Sequence, residues 1–416
     1  MTRKPFQNST RGDGVSRRAF TAGAAAATAL VAAPAVLRAQ GGALKVGVLL
    51  PRSGAQAGIG QDCFRGVELA NPIFKGLGLP ELEIMNADTE TNVEVARARA
   101  EKLIADGAQL LVGAFDSGQS SAIAQVAEQK GIPFVINIAA APPITEQGYK
   151  FVFRNFPTAP MILADAFANQ KEVFAAGGKE PKSVVFMHVN DTFGMAMKGG
   201  IGAVMPKFNM PYEIKETISY DPTARDLSVE ISKAKATGAD ALLVVSRLND
   251  AILLTRELVK QRWSPMGILS MGPGWYEDQY LKTLAKLGDG PLSFVPWYDP
   301  NKKVSKQLEA ALAKKYPGVN LNTNHIYTFE ALMVASDAFK RAKSTDPKAL
   351  ADAIRKTDIK DNVSTGPGIS FNEKGQNDKL KNSAIQNRGG KLVTVAPQGA
   401  TNAKAEWPMK AYDKRG

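Results

Sequence analysis

Residues that staple, ligate or span are scarce in this chain of 416 residues. It has one cysteine, Cys63, so no intramolecular disulfide can form and stability must come from packing. Cys63 shares a helical apolar pattern with Phe64, Val67, Leu69 and Ala70, which fits a buried, inert thiol. The two histidines, His188 and His325, are far apart, and no metal-ligand spacing or Gly-x-Ser-x-Gly elbow accompanies them. Neither metal, cofactor nor catalysis is therefore expected. His325 lies on a helical stripe with Phe329 and reads as structural, whereas His188 ends a strand and is a candidate cleft residue. Beyond the first 39 residues no apolar run reaches the roughly 20 residues of a membrane helix. Basic runs interleaved with aromatics are also lacking, which argues against a nucleic-acid surface despite a formal charge of +12.

What is present begins with the leader. Ser16-Arg17-Arg18-Ala19-Phe20 precedes a short Ala-rich run from Thr21 to Ala33 and a small residue, Ala39, before Gln40. Paired arginines, a modest apolar stretch and that cut site read as an export signal over residues 1–39, resembling the twin-arginine type. A periplasmic location is expected for the remainder. The leader holds much of the basic excess, leaving about +7 on the mature chain, enough for a mild attraction to anionic solutes.

Strand and helix signals alternate from Leu44. Leu44–Leu50, Leu82–Met85, Gln109–Gly113 and Ile132–Ile136 read as strands, with helices over 61–74, 92–106 and 119–130 between and after them. The pattern restarts after Phe151–Arg154, where Thr158-Ala159-Pro160 reads as a capped helix start. Strands at 184–187, 212–218, 241–245, 267–271 and 291–296 alternate with helices, three further helices follow, and strands at 383–386 and 392–395 close the fold. The polar tail from 397 is expected to be poorly ordered. This is an α/β chain of two doubly wound parallel-sheet lobes, with a ligand cleft beyond the carboxyl ends of the strands.

Several stretches, in order and spacing, resemble the leucine/isoleucine/valine-binding family of periplasmic solute-binding proteins. They include Lys45–Gly54, Asn86–Asn92, Leu111–Gly113 leading to Ser117, Gly131–Pro133, Gly148–Arg154, Asp191–Gly194, Gly238–Ala241, Met271–Gly274 and Phe371–Gly375. The resemblance implies the type I periplasmic-binding-protein fold, with lobes joined by three hinge strands. Lobe 1 is expected over 43–158 plus about 298–378, and lobe 2 over 159–297 plus about 379–396. It also implies a monomer that closes over a small solute and delivers it to a membrane ABC permease. A free-standing periplasmic ligand sensor is the alternative class.

Gly113–Ser120 lies between a strand and a helix and nearly spells a phosphate loop, but Gln119 stands where the lysine belongs. The loop still offers helix-start amides near Ser117 and Gly118, an arrangement suited to one carboxylate. By resemblance, Ser117 is the hydroxyl contact to that carboxylate, and the strand end with Ile138, Ala139 and Ala140 supplies backbone groups. The chain departs from the family at Ala140, where a threonine often contacts the amino-acid head, and at Gly274, where an acid often binds the ammonium. Asp191, Glu277 and Asp278 are the candidate replacements. Arg247 falls where the family often has an aromatic, and a guanidinium there can clamp a second polar group or stack on a ring. Ile59, Phe193, Trp275 and Tyr276 are expected to form apolar walls. The expected solute is a small carboxylate with an apolar or aromatic body, with branched-chain amino acids as the alternative.

Overall fold

The computed structural model describes residues 1–2 and 42–415. The expected export signal, its arginine pair and the cut near Ala39 lie outside the described residues.

The first half builds a five-stranded parallel sheet. Its elements are β1 (Leu44–Leu50), α1 (Ala57–Gly76), β2 (Leu82–Asp88), α2 (Val93–Ala105), β3 (Leu110–Gly113), α3 (Ser117–Lys130), β4 (Phe134–Ile136) and β5 (Val152–Arg154), in strand order β2-β1-β3-β4-β5. The strands are near-continuous apolar runs because helices cover both faces. Local chemistry sets the helix ends. Asn92 caps α2 by accepting from the Glu94 and Val95 amides, and Gly131, left-handed at φ +65°, terminates α3.

The chain then crosses to a second sheet through α4 (Ala159–Gly177), β6 (Ser183–Val189), α5 (Thr192–Val204), β7 (Glu213–Tyr220), α6 (Ser228–Ala236), β8 (Ala241–Val245), α7 (Leu248–Lys260), β9 (Ile268–Ser270), α8 (Asp278–Leu284) and β10 (Leu292–Pro296). Thr158 precedes α4 as expected but makes no side-chain cap. It returns to the first lobe with α9 (Lys303–Lys315), α10 (Thr323–Ala342), α11 (Pro347–Arg355) and the small pair β11 (Asp358–Ile359) and β12 (Ile369–Ser370). α10 lies on α1, where Phe74 and Phe329 meet at 5.3 Å. Gly66 permits that approach, since a Cβ there would lie 2.4 Å from the His325 carbonyl oxygen. A third crossing leads to β13 (Asn382–Arg388) and β14 (Lys391–Ala396).

The second sheet has the order β14-β13-β10-β9-β8-β6-β7 and is mixed. The five strands from β10 to β7 are parallel, but β13 runs antiparallel to β10 and β14 antiparallel to β13. The parallel strands are the expected doubly wound part; the hairpin makes β14 antiparallel to β13, and the third crossing delivers β13 against β10 in the antiparallel sense. The three crossings run side by side. Arg154 bridges to Gln376, Asn377 donates to the Asn155 side chain at 2.9 Å, and the Trp297 carbonyl accepts from the Thr365 amide.

The tail from 397 to 415 is polar but not loose, contrary to expectation. Trp407 is 7% exposed, stacks on Phe174 at 5.0 Å and donates from its indole to the Lys179 carbonyl. The Met409 amide donates to Met266 O, and Arg415 reaches Leu287 O. Among the described residues no helix is long and apolar enough to cross a membrane.

Candidate functional site

Two aspartates organise the facing edges of the lobes. Asp116 caps α3, its Oδ1 accepting from the Gly118 and Gln119 amides at 2.9 and 3.2 Å. Asp191 caps α5 through the Gly194 amide at 2.9 Å. Each has a second carboxylate oxygen, and both are taken by Arg247. Its guanidinium donates to Asp116 Oδ2 at 2.8 Å and to Asp191 Oδ2 in a shorter contact. Arg247 sits at the start of α7, with its own amide on Asp250 at 2.9 Å. Its pair with Asp116 joins the first lobe to the second, and Gln56 adds a fourth bond to the Asp116 carboxylate. The surrounding carboxylates outweigh the cost of burial and hold the Arg247 guanidinium above its ordinary pKa, although burial itself pushes the other way.

Behind this triad lies a small, partly open chamber. From the first lobe it receives Phe115, Ser117, Ile138, Ala139 and Ala140, from the first crossing Phe156, and from the end of β10 Val295 and Pro296. The second lobe contributes Ile162, Phe193, Arg247, Met271, Pro273 and Tyr276. Phe115 holds a left-handed conformation at φ +71°, fixed by its amide donating to Asn137 Oδ1 at 3.0 Å. An aromatic residue there stores strain of roughly 1–3 kcal/mol and is fixed with its ring in the wall. Tyr276 packs edge-on against Trp297 at 5.3 Å.

Polar groups gather at one end. Ser117 is the first residue of α3, and its Oγ accepts from the Ala140 and Ala141 amides at 3.2 and 3.4 Å. The hydroxyl proton is thereby left to donate elsewhere. Of the first four amides of α3, those of Gly118 and Gln119 go to Asp116 Oδ1 and that of Ser120 to Asp116 O. The Ser117 amide is left without a protein acceptor among the described residues. The donors left free at this helix start are therefore one hydroxyl and one amide, not the open row of amides that the sequence implied. Ser117 does not cap its helix, because Asp116 does.

The expected site residues divide. Ser117, Ile138, Ala139, Ala140, Phe193, Arg247 and Tyr276 come together in the chamber wall. Gly118 lies at the outer mouth, near Thr192 and Val93. Ile59 lines an outer vestibule shared with Arg247. Trp275 is a core residue, fully buried against Tyr280 at 5.3 Å with its indole on Ser246. Gly274 lies under the Arg247 carbonyl, where a Cβ would sit 2.3 Å from the oxygen. An acidic side chain at 274 has no room unless the backbone moves. The three candidate replacements are engaged elsewhere. Asp191 holds Arg247, Glu277 accepts from Asn324 at 2.8 Å, and Asp278 accepts from the Asn320 amide and side chain. His188 stacks on Phe186 with Nδ1 on the Val189 carbonyl and lines neither cavity. Burial drives the Cys63 thiol far above its usual pKa, which keeps it inert.

Sequence reasoning did not single out Phe115, Phe156, Ile162, Met271, Pro273, Val295 or Pro296. Phe115 sits inside the Gly113–Ser120 loop and Met271–Pro273 inside the Met271–Gly274 stretch that resembles the family, so proximity to those motifs is the signal the sequence carries. Phe156 lies on the first crossing and Pro296 at the end of β10, where no local pattern marks a wall.

Two lobes, each with a central sheet and helices on both faces, meeting over an apolar chamber at the strand ends, define a type I periplasmic-binding-protein fold. The chain belongs to the periplasmic binding protein family, whose sequence profile matches residues 43–381. It is 25% identical over 373 residues to a Leu/Ile/Val-binding protein homolog 8 of Brucella abortus, covering 87% of this chain and 92% of the relative. Solved structures of like fold include a leucine-binding protein of Thermotoga maritima, with TM-score 0.73, 23% identity, and coverage of 85% of this chain and 98% of that one. An ABC-transporter solute-binding protein of R. palustris, solved in complex with benzoate, gives TM-score 0.72, 20% identity, and coverage of 87% and 100%.

Proposed function

We propose that this chain is the extracytoplasmic solute-binding protein of an ABC importer. Its lobes close over a small monocarboxylate with an apolar or aromatic body, of which benzoate is the simplest example, and present it to a membrane permease. One observation carries the choice of solute: no carboxylate side chain lines the chamber, while hydroxyl and amide donors meet at one end of an otherwise apolar wall. An α-ammonium buried there would lack a counter-charge, at a cost of several kcal/mol. A carboxylate set on the Ser117 hydroxyl and amide keeps its hydrogen bonds, and a ring or branched chain fills the space between Phe115, Phe156, Phe193 and Tyr276. Arg247 lines the chamber at its mouth, where two aspartates already balance its charge before the solute arrives. The solute contacts both lobes, so its binding shifts the population toward the closed form.

Branched-chain amino acids are the second reading, favoured by the names of the relatives. Native mass spectrometry of protein purified from its own host separates the two. A carried-over acid without an amino group supports the proposal, and carried-over leucine, isoleucine or valine contradicts it.

A further inference from the structure

Arg154 is fully buried. Its Nε donates to Gln376 Oε1 at 2.6 Å, one terminal nitrogen to the carbonyls of Ala139 and Ala141 at 3.1 and 2.7 Å, and the other to Thr145 Oγ1 at 2.7 Å. Every partner is neutral. Among the described residues no carboxylate forms an ion pair with it, and the one acid that it senses, Glu146, is exposed. A buried, hydrogen-bonded cation without an anion is costly, and such charges are ordinarily paired. Burial lowers its pKa to about 9, which still leaves it charged at neutral pH.

Its position explains what the charge faces. Arg154 grips the outer side of the Ala139–Ala141 loop, and the inner side of that loop is chamber wall. In a trans peptide the C=O and the next N–H point in opposite directions. Holding the Ala139 carbonyl outward on Arg154 therefore turns the Ala140 N–H inward, where it meets Ser117 Oγ. The arginine orients this peptide from behind, and the peptide borders the chamber beside Ser117.

We infer that Arg154 is a positioning residue whose missing counter-ion is the bound solute's carboxylate: it aims the Ala139–Ala140 peptide at the site and biases the chamber toward anions. The inference rests on the carboxylate reading above and assigns its charge selectivity to a residue outside the chamber wall. It also accounts for acid recognition in a chamber whose own arginine is neutralised by two aspartates.

The test compares acid–amide pairs, benzoate with benzamide and 4-methylpentanoate with its amide, by calorimetry on the wild type and three variants. Arg154→Met removes the charge. Thr145→Asp keeps the arginine but gives it a carboxylate inside the protein. Arg154→Lys keeps a cation. The wild type is expected to prefer acids. Arg154→Met and Thr145→Asp should each cut the acid-over-amide ratio roughly tenfold while amide affinity stays within about twofold, and Arg154→Lys should restore much of the preference. A merely structural role would weaken acid and amide alike. Thr145→Asp decides the matter where Arg154→Met does not fold. A preference unchanged in folded Thr145→Asp overturns the role of Arg154 and leaves the carboxylate reading standing. A wild type that binds no acid better than its amide, or neither, overturns both.

Discussion

At the scale of single residues, neighbouring positions divide the work. Asp116 and Ser117 are both good helix-capping residue types, and their adjacency made the assignment ambiguous in sequence. The structure gives the cap to Asp116, which frees the Ser117 hydroxyl to face the chamber. Replacing Ser117 with Ala is expected to weaken binding of benzoate at least tenfold, the worth of one hydrogen bond to a charged group, and to lower the melting temperature of the unliganded protein as well, because the buried Ala140 and Ala141 amides lose their acceptor. Calorimetry and a thermal scan measure the two effects. Gly274 was legible as a departure from the family pattern, but its cause was not. The Arg247 carbonyl that blocks a side chain there is distant in sequence and becomes visible only when α7 and the 272–275 turn are packed together.

At the scale of elements, strands were the most readable feature. β1, β3, β6 and β8 are buried apolar runs, and tertiary packing only confirms what their composition implies. β13, with the sequence Asn-Ser-Ala-Ile-Gln-Asn-Arg, carries a much weaker apolar signal, and its antiparallel sense depends on where the third crossing delivers it. The two helices that face each other across the mouth, α3 and α5, share one device: an N-cap aspartate that spends one oxygen on the helix and one on Arg247. Asp116→Ala is expected to cost about 1 kcal/mol of stability through the lost cap and to speed solute release, because the link between the lobes goes with it. Denaturant unfolding reads the first effect and stopped-flow release of benzoate the second. Asp191→Ala should match the cap loss but leave the Asp116–Arg247 pair in place.

At the scale of the whole molecule, a chain with one thiol holds two lobes and a long tail together by packing and buried polar contacts. The tail was read from composition alone, which overlooked that a single tryptophan can anchor a polar segment. Trp407→Ala should lower stability by roughly 3 kcal/mol, seen as a falling melting temperature, since the ring fills the space left by Gly177 and Gly267. Where the lobes meet beside the chamber, Glu277 is buried, and burial together with nearby Asp62 holds its carboxyl well above the usual range. A carboxyl raised in the folded state contributes stability that is complete below its unfolded pKa and is lost as pH rises through the folded one. The wild type should therefore lose stability as pH climbs above the ordinary carboxylate range, and Glu277→Gln should flatten that slope in melting scans across pH. The central claim is that the chamber takes a carboxylate with an apolar body and offers nothing to an ammonium. Calorimetric titration of the purified protein with benzoate and with leucine under one buffer condition tests it most directly. Binding of benzoate near micromolar, about 8 kcal/mol, with leucine at least tenfold weaker is the predicted result. Tight leucine binding with no heat from benzoate would contradict it.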